Sequence, residues 1–285
     1  MRKFPFLLAL SALLFTTAEA QSRLEHLTVK SEILGVEKVY SIYLPDGYDQ
    51  SDERYPVLYL LHGAKGTNAS WWRDGGGELP RIADAEIAEG RAQKMIVVMP
   101  DARGEGERKS GRNMGYFNVK GWAYEDFFFK EFIPHIDATF RTIASKEGRA
   151  IAGLSMGGGG AVVYCQHHPE VFAACYSTSG LLDILYRPNA NEDYEDGWLW
   201  SVAYTSPVEF LRISPAAKIE ALRSVRWKLD CGDDDFLIKS NIDFFVEMRR
   251  ERVKVEFRVR NGAHNWEFWR ESLPKILQFS FLKEQ

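Results

Sequence analysis

The strongest constraint on the fold is a repeated pairing of a short, almost continuously apolar run with a longer stretch at helical spacing. Tyr55 to Leu61 (Tyr-Pro-Val-Leu-Tyr-Leu-Leu) ends in His62-Gly63, and Met95 to Met99 repeats the pattern ahead of Pro100-Asp101. Runs that stay apolar without alternation suit central strands covered on both faces. Ala150 to Ala152 before Gly153 is a shorter candidate strand, and Val36 to Leu44 reads as a strand with alternating apolar positions. Between them lie the helical stretches Leu79 to Glu89 and Glu125 to Phe140. A helix from Ser155 to about His168 follows, then strands at Val171 to Ser177 and Val225 to Cys231. A helix from about Phe236 to Arg250, a strand at Val253 to Val259 and a helix from about Trp266 to Leu282 complete the chain. This alternation predicts an α/β fold with a mostly parallel central sheet and helices on both faces.

No internal repeat, low-complexity tract or Pro/Ser-rich linker divides the sequence, so a single domain over 21–285 is expected. Leu181 to Ser214 departs from the pattern, mixing Tyr186, Tyr194, Trp198, Trp200 and Tyr204 with acidic residues. A stretch this long without periodicity is expected to form a cap or lid, the alternative being an ordinary surface excursion.

The first twenty residues read as a targeting segment. Arg2 and Lys3 precede an apolar run from Phe4 to Phe15, and Ala18-Glu19-Ala20 supplies an A-x-A cleavage site. The run is too short to cross a bilayer. The expected product is an exported, soluble chain beginning at Gln21, periplasmic or extracellular, with no membrane association after cleavage. Without Arg2, Lys3 and Glu19 the 36 basic and 40 acidic residues fall to 34 and 39, a net charge of −5. That balance argues against nucleic acid as a partner, because phosphate binding depends on clustered excess Lys and Arg. Cys165, Cys175 and Cys231 are too few and too widely spaced for a disulfide scaffold or a zinc site. Cys165 and Cys175 are the pair an oxidising compartment would join first; otherwise all three are small buried apolar residues.

The chemistry concentrates at Gly153-Leu154-Ser155-Met156-Gly157, a G-x-S-x-G pentapeptide between a short apolar strand and a helix. Chance yields about one such pentapeptide in ten chains of this length, so the context carries the argument. A sharp strand-to-helix turn needs small residues around the serine to expose its hydroxyl. That hydroxyl is a weak nucleophile unless a base lies within reach and an acid orients the base. His264, in Asn261-Gly262-Ala263-His264-Asn265-Trp266, follows a predicted strand and is the candidate base. The acid belongs to Asp233-Asp234-Asp235, any of which could instead be a solvated turn residue or a helix cap. Serine, aspartate and histidine thus all fall just beyond the carboxyl ends of predicted strands, where open α/β sheets place their sites. An oxyanion would need two backbone N–H donors. Met156 and Ala64, the latter in the loop after His62-Gly63, are the candidates, and His62 is read as shaping that loop. The sequence has no H-E-x-x-H, no phosphate-binding loop and no dinucleotide fingerprint, and no metal or cofactor is expected.

With these motifs in place, the sequence resembles the esterase D-like branch of the α/β-hydrolases, which includes feruloyl esterases and acetylxylan esterases. The resemblance runs from about Leu44 to the C-terminus. It rests on Leu60-Leu61-His62-Gly63, Ile96 to Asp101, Phe132 to Ile136, Ala152 to Gly158, Cys231 to Leu237 and Gly262 to Trp269. It implies an α/β-hydrolase fold and a catalytic set of Ser155, Asp235 and His264 with Met156 and Ala64 as oxyanion donors. It selects Asp235 because the family's acid lies two residues before the leucine, here Leu237. The implied activity is a secreted carboxylesterase acting on feruloyl or acetyl esters of plant polysaccharide. Other small-ester hydrolysis of the tributyrin or siderophore type, acyl transfer, and non-catalytic carbohydrate binding are the alternatives. Unlike many polysaccharide esterases, the sequence is expected to carry no attached carbohydrate-binding domain. Trp71, Trp72, Trp198, Trp200 and Trp266 are the residues expected to stack on a sugar or phenolic ring, the alternative being that they belong to the core.

Overall fold

The computed structural model describes residues 22–106, 114–119, 121–183 and 206–281. The expected leader, and most of the expected lid including Trp198 and Trp200, lie outside the described residues.

The molecule is built on an eight-stranded sheet: β1 (Arg23–Ser31), β2 (Val36–Leu44), β3 (Val57–Leu61), β4 (Ile96–Pro100), β7 (Arg149–Leu154), β8 (Ala174–Thr178), β9 (Arg226–Gly232) and β10 (Val255–Arg260). A small hairpin, β5 (Asn118–Val119) and β6 (Trp122–Ala123), stands apart. The strand order is β1-β2-β4-β3-β7-β8-β9-β10. The β1–β2 and β2–β4 pairs are antiparallel, and every pair from β4 to β10 is parallel.

The continuous apolar runs are explained by which side each residue serves. In β3, Val57, Tyr59 and Leu61 enter one core while Leu58 and Leu60 enter the other; in β4, Ile96 and Val98 oppose Val97 and Met99 in the same way. One face is covered by α1 (Leu79–Ala88) and α8 (Trp266–Ser280). The other is covered by α2 (Tyr124–Phe127), α3 (Ile133–Thr139), α4 (Met156–His167), α5 (Pro207–Ile213), α6 (Ala216–Leu222) and α7 (Ile238–Arg250). This layering, with a mostly parallel sheet and an antiparallel pair at one edge, is the α/β-hydrolase fold, as the sequence predicts.

Two features differ from the sequence reading. The expected helix Glu125 to Phe140 is broken by a π-helical stretch, Phe128–Phe132. Pro134 cannot supply the N–H that the carbonyl of Lys130 would bond in an α-helix, and its ring crowds that carbonyl, which a wider turn relieves. Part of the expected lid is instead core: Val208, Phe210 and Leu211 of α5 are buried. Ser206 caps that helix, its Oγ accepting from the Glu209 N–H at 3.1 Å. Cys165, Cys175 and Cys231 are buried free thiols. Among the described residues no helix is long and apolar enough to cross a membrane.

Candidate active site

Ser155 occupies the turn between β7 and α4 with φ 53° and ψ −118°, a conformation that non-glycine residues adopt only under constraint. The constraint is visible on both sides of the turn. The Ser155 N–H donates to Thr178 O at 3.1 Å, and Ser155 O accepts from the N–H groups of Leu181 and Gly159, each at 3.0 Å. Gly157 lies so close to β3 that a Cβ there would stand 2.6 Å from the carbonyl oxygens of both Leu61 and His62. The glycine run 157–160 at the start of α4 is buried throughout. Its backbone therefore approaches the sheet more closely than any side chain would allow.

Two further loops converge on the serine. The turn after β9 and the turn after β10 are tied together: Asp233 N–H donates to Arg260 O at 3.1 Å and Asp234 N–H to Gly262 O at 3.0 Å. The Asp233 carboxylate accepts from the Gly262 N–H at 3.0 Å. The three aspartates thereby separate by role. Asp233 and Asp234 are exposed and brace the histidine loop, whereas Asp235 is buried with its carboxylate 2.9 and 3.0 Å from His264 Nδ1. A carboxylate can only accept, so Nδ1 carries the proton and Nε2 is left as an acceptor. Nε2 lies 3.0 Å from Ser155 Oγ, whose hydroxyl donates to it. Burial works against the charge on Asp235, but hydrogen bonds from His264, the Leu237 N–H and Ser179 together hold its carboxyl below the usual range.

The loop after β3 supplies the remaining wall. His62 is buried with both nitrogens occupied: Nδ1–H donates to Gly63 O at 2.8 Å, and Nε2 accepts the Ala102 N–H at 3.0 Å. Burial pushes its pKa down, which suits this neutral, structural role. Ala64, two residues on, is exposed. Met156, as the first residue of α4, has an N–H with no partner inside the helix. Both amides come from segments that abut Ser155.

The tryptophans fall in different places. Trp71 is 1% exposed, its Nε1–H donating to Leu61 O at 2.9 Å, and so belongs to the core rather than to a substrate-facing surface. Trp72 lies over β1 and β2, donating to Ser41 Oγ at 3.1 Å with its ring 4.6 Å from His26. Trp266 is half-buried between Trp71 and Trp269, at ring distances of 5.5 and 5.3 Å. The tryptophan whose ring touches His264 is Trp269, edge to face at 4.8 Å. Its Nε1–H donates to Ser179 Oγ at 3.0 Å, and Ser179 in turn holds Asp235.

Ser179, Trp269 and Phe236, whose ring lies 4.5 Å from the imidazole, are site residues that the sequence reading did not single out. Ser179 offered only its place at a strand end. Trp269 offered its position in the first turn after His264, and Phe236 its place beside Asp235. Among the described residues no group of three or more His, Cys, Asp or Glu could hold a metal ion. Chemically, the arrangement can remove the Ser155 proton toward His264 and hold the resulting imidazolium against Asp235.

The chain is 38% identical over 264 residues to the endo-1,4-beta-xylanase/feruloyl esterase of Xylanibacter ruminicola, an alignment covering 90% of this chain and 31% of the relative. The chain thus spans about a third of that relative's length. It is 24% identical over 245 residues to the acetyl esterase of Caldicellulosiruptor saccharolyticus, covering 81% of this chain and 85% of that one. A solved ferulic acid esterase superposes with a TM-score of 0.84 at 41% identity, over 92% of this chain and 98% of that chain. The family model described as "Putative esterase" matches residues 31–280. Matched over most of its length, the chain belongs to the Esterase family.

Proposed function

We propose that the protein is an exported serine carboxylesterase that cleaves feruloyl or acetyl esters of plant polysaccharide through Ser155, His264 and Asp235. The row Ser155 Oγ, His264 Nε2, His264 Nδ1 and Asp235, with successive separations of 3.0 and 2.9 Å across the ring, carries this reading. Binding alone requires no such row. Similarity to proteins named as feruloyl and acetyl esterases supports the substrate class, with feruloyl esters favoured by the higher identities. The A-x-A segment ending at Ala20 supports export.

In the first step His264 Nε2 takes the Ser155 proton as Oγ adds to the ester carbonyl carbon. The carbonyl π pair moves onto oxygen, where the Ala64 and Met156 N–H groups receive it. Collapse of the intermediate expels the alcohol oxygen, which takes its proton from His264 and leaves an acyl ester on Ser155. Water then repeats the sequence in reverse roles, giving up one proton to His264 as it adds to the acyl carbon. Release of the acid returns that proton to Ser155. Asp235 stays ionised throughout and stabilises the imidazolium.

The test is ferulate release from methyl ferulate by the mature protein with Ser155→Ala as the blank. Release by the native enzyme and its loss in the variant are expected. No release from folded native protein would discard the feruloyl reading, and acetylated xylan would become the next substrate to assay.

A further inference from the structure

Phe236 is out of place by the ordinary logic of burial. Its neighbours Asp235 and Leu237 are buried, yet Phe236 is 75% exposed, the most exposed large apolar side chain among the described residues. The backbone leaves it no retreat. The Leu237 N–H donates to Asp235 Oδ1 at 2.8 Å and the Ile238 N–H to Asp235 O at 2.9 Å, so the residues flanking the ring are fixed. The ring stands 4.5 Å from the His264 imidazole with the planes inclined by 52°. Trp269 and Asp235 already hold that imidazole from the buried side. An aromatic ring left in water gains apolar burial only when something covers it.

We propose that Phe236 is a stacking platform for the sugar ring on the alcohol side of the ester, a role that rests on the esterase reading above. The geometry of ester cleavage assigns the side. The carbonyl oxygen must face the Ala64 and Met156 amides, while the departing oxygen must come within reach of His264 Nε2, the atom that returns its proton. A ring packed beside His264 therefore adjoins the alcohol rather than the acyl group. An open, exposed ring also selects the kind of alcohol. A fully apolar group calls for an enclosed pocket, whereas a sugar can lay its C–H face on an aromatic ring and leave its hydroxyls in water. Because the ring is held in place before substrate arrives, stacking costs little ordering of the protein.

The experiment compares two esters with one acyl group, methyl ferulate and feruloylated arabinose, in native enzyme, Phe236→Ala and Phe236→Trp. The ratio of kcat/KM for the sugar ester to that for the methyl ester is expected to fall about tenfold in Phe236→Ala, chiefly through KM. Phe236→Trp should restore it. Equal losses on both esters would overturn the platform by showing that Phe236 acts only through His264, and an unaltered ratio with unaltered rates would overturn it as well. Native enzyme that turns over neither ester would overturn the feruloyl reading on which the platform rests, which separates the two failures.

Discussion

His264 and His62 look alike at first sight: each follows a strand in the sequence, and each lies near an aspartate in the fold. In the structure His62 Nε2 lies 4.0 Å from Asp101 and His264 Nδ1 lies 2.9 Å from Asp235. The difference lies in the second nitrogen. Both nitrogens of His62 are committed to backbone groups in a site 1% exposed, so no lone pair or proton is free to move. The Nε2 of His264 faces a hydroxyl, and its side chain is 17% exposed. A nearby carboxylate does not make a histidine a base. A free nitrogen aimed at a transferable proton does.

That contrast can be broken in four places. Replacing His264 with Ala should lower kcat/KM on the order of 10⁵-fold while leaving the unfolding midpoint close to native, measured by esterase kinetics and thermal melts. Asp235→Asn should cost about 10⁴-fold by disturbing the tautomer that Nδ1 holds, whereas Asp234→Asn, at the exposed brace, should change rate by less than about threefold. His62→Ala should act in the opposite currency. It strands the buried Ala102 N–H, while Gly63 O keeps the Gly66 N–H, so a loss of about 2 kcal/mol in urea unfolding is expected, with activity falling less than for His264→Ala.

A third arrangement sharpens the comparison by being structural and half-exposed. Glu125 accepts from His167 Nδ1 at 2.9 Å and from His168 Nε2 at 3.1 Å. Burial opposes its charge, but the two imidazoles hold its carboxyl down to about 2 from an ordinary 4.5. A carboxyl depressed in the folded state adds stability above pH 4.5 and loses it as pH falls from there toward 2. Between pH 7 and pH 3 the native protein should lose about 2 kcal/mol more than Glu125→Gln, read from urea midpoints at both values.

Of the strands that position the site, β3 and β4 were legible because both their faces are buried, and β9 and the edge strand β10 because apolar residues alternate along them. β2 spans the residues expected, and β3, β4, β9 and β10 fall within a residue or two of the apolar runs that announced them. β1 was not legible. Arg23–Ser31 is an edge strand with polar residues at most positions and little burial, so its sequence carries no strong alternation. α5 had a usable signal, Ser206-Pro207-Val208-Glu209, which reads as a cap with proline at the first helical position. It was submerged in the aromatic and acidic mixture before it. Within the site, Ser155 and His264 stood out by motif, and the acid needed the family pattern to separate it from its two neighbours. Ser179 and Trp269 escaped because their contribution is a contact across 90 residues, which local spacing does not encode.

The glycine run 157–160 also bears on how the protein comes into being. Each glycine inside a helix costs about 1 kcal/mol against alanine, so the first turn of α4 opposes its own formation by roughly 4 kcal/mol. Such a helix is expected to appear only when the sheet is already there to receive it. The turn that aims Ser155 would then be among the last parts of the chain to take shape, and a newly made or unfolded chain would carry the serine without its reactivity.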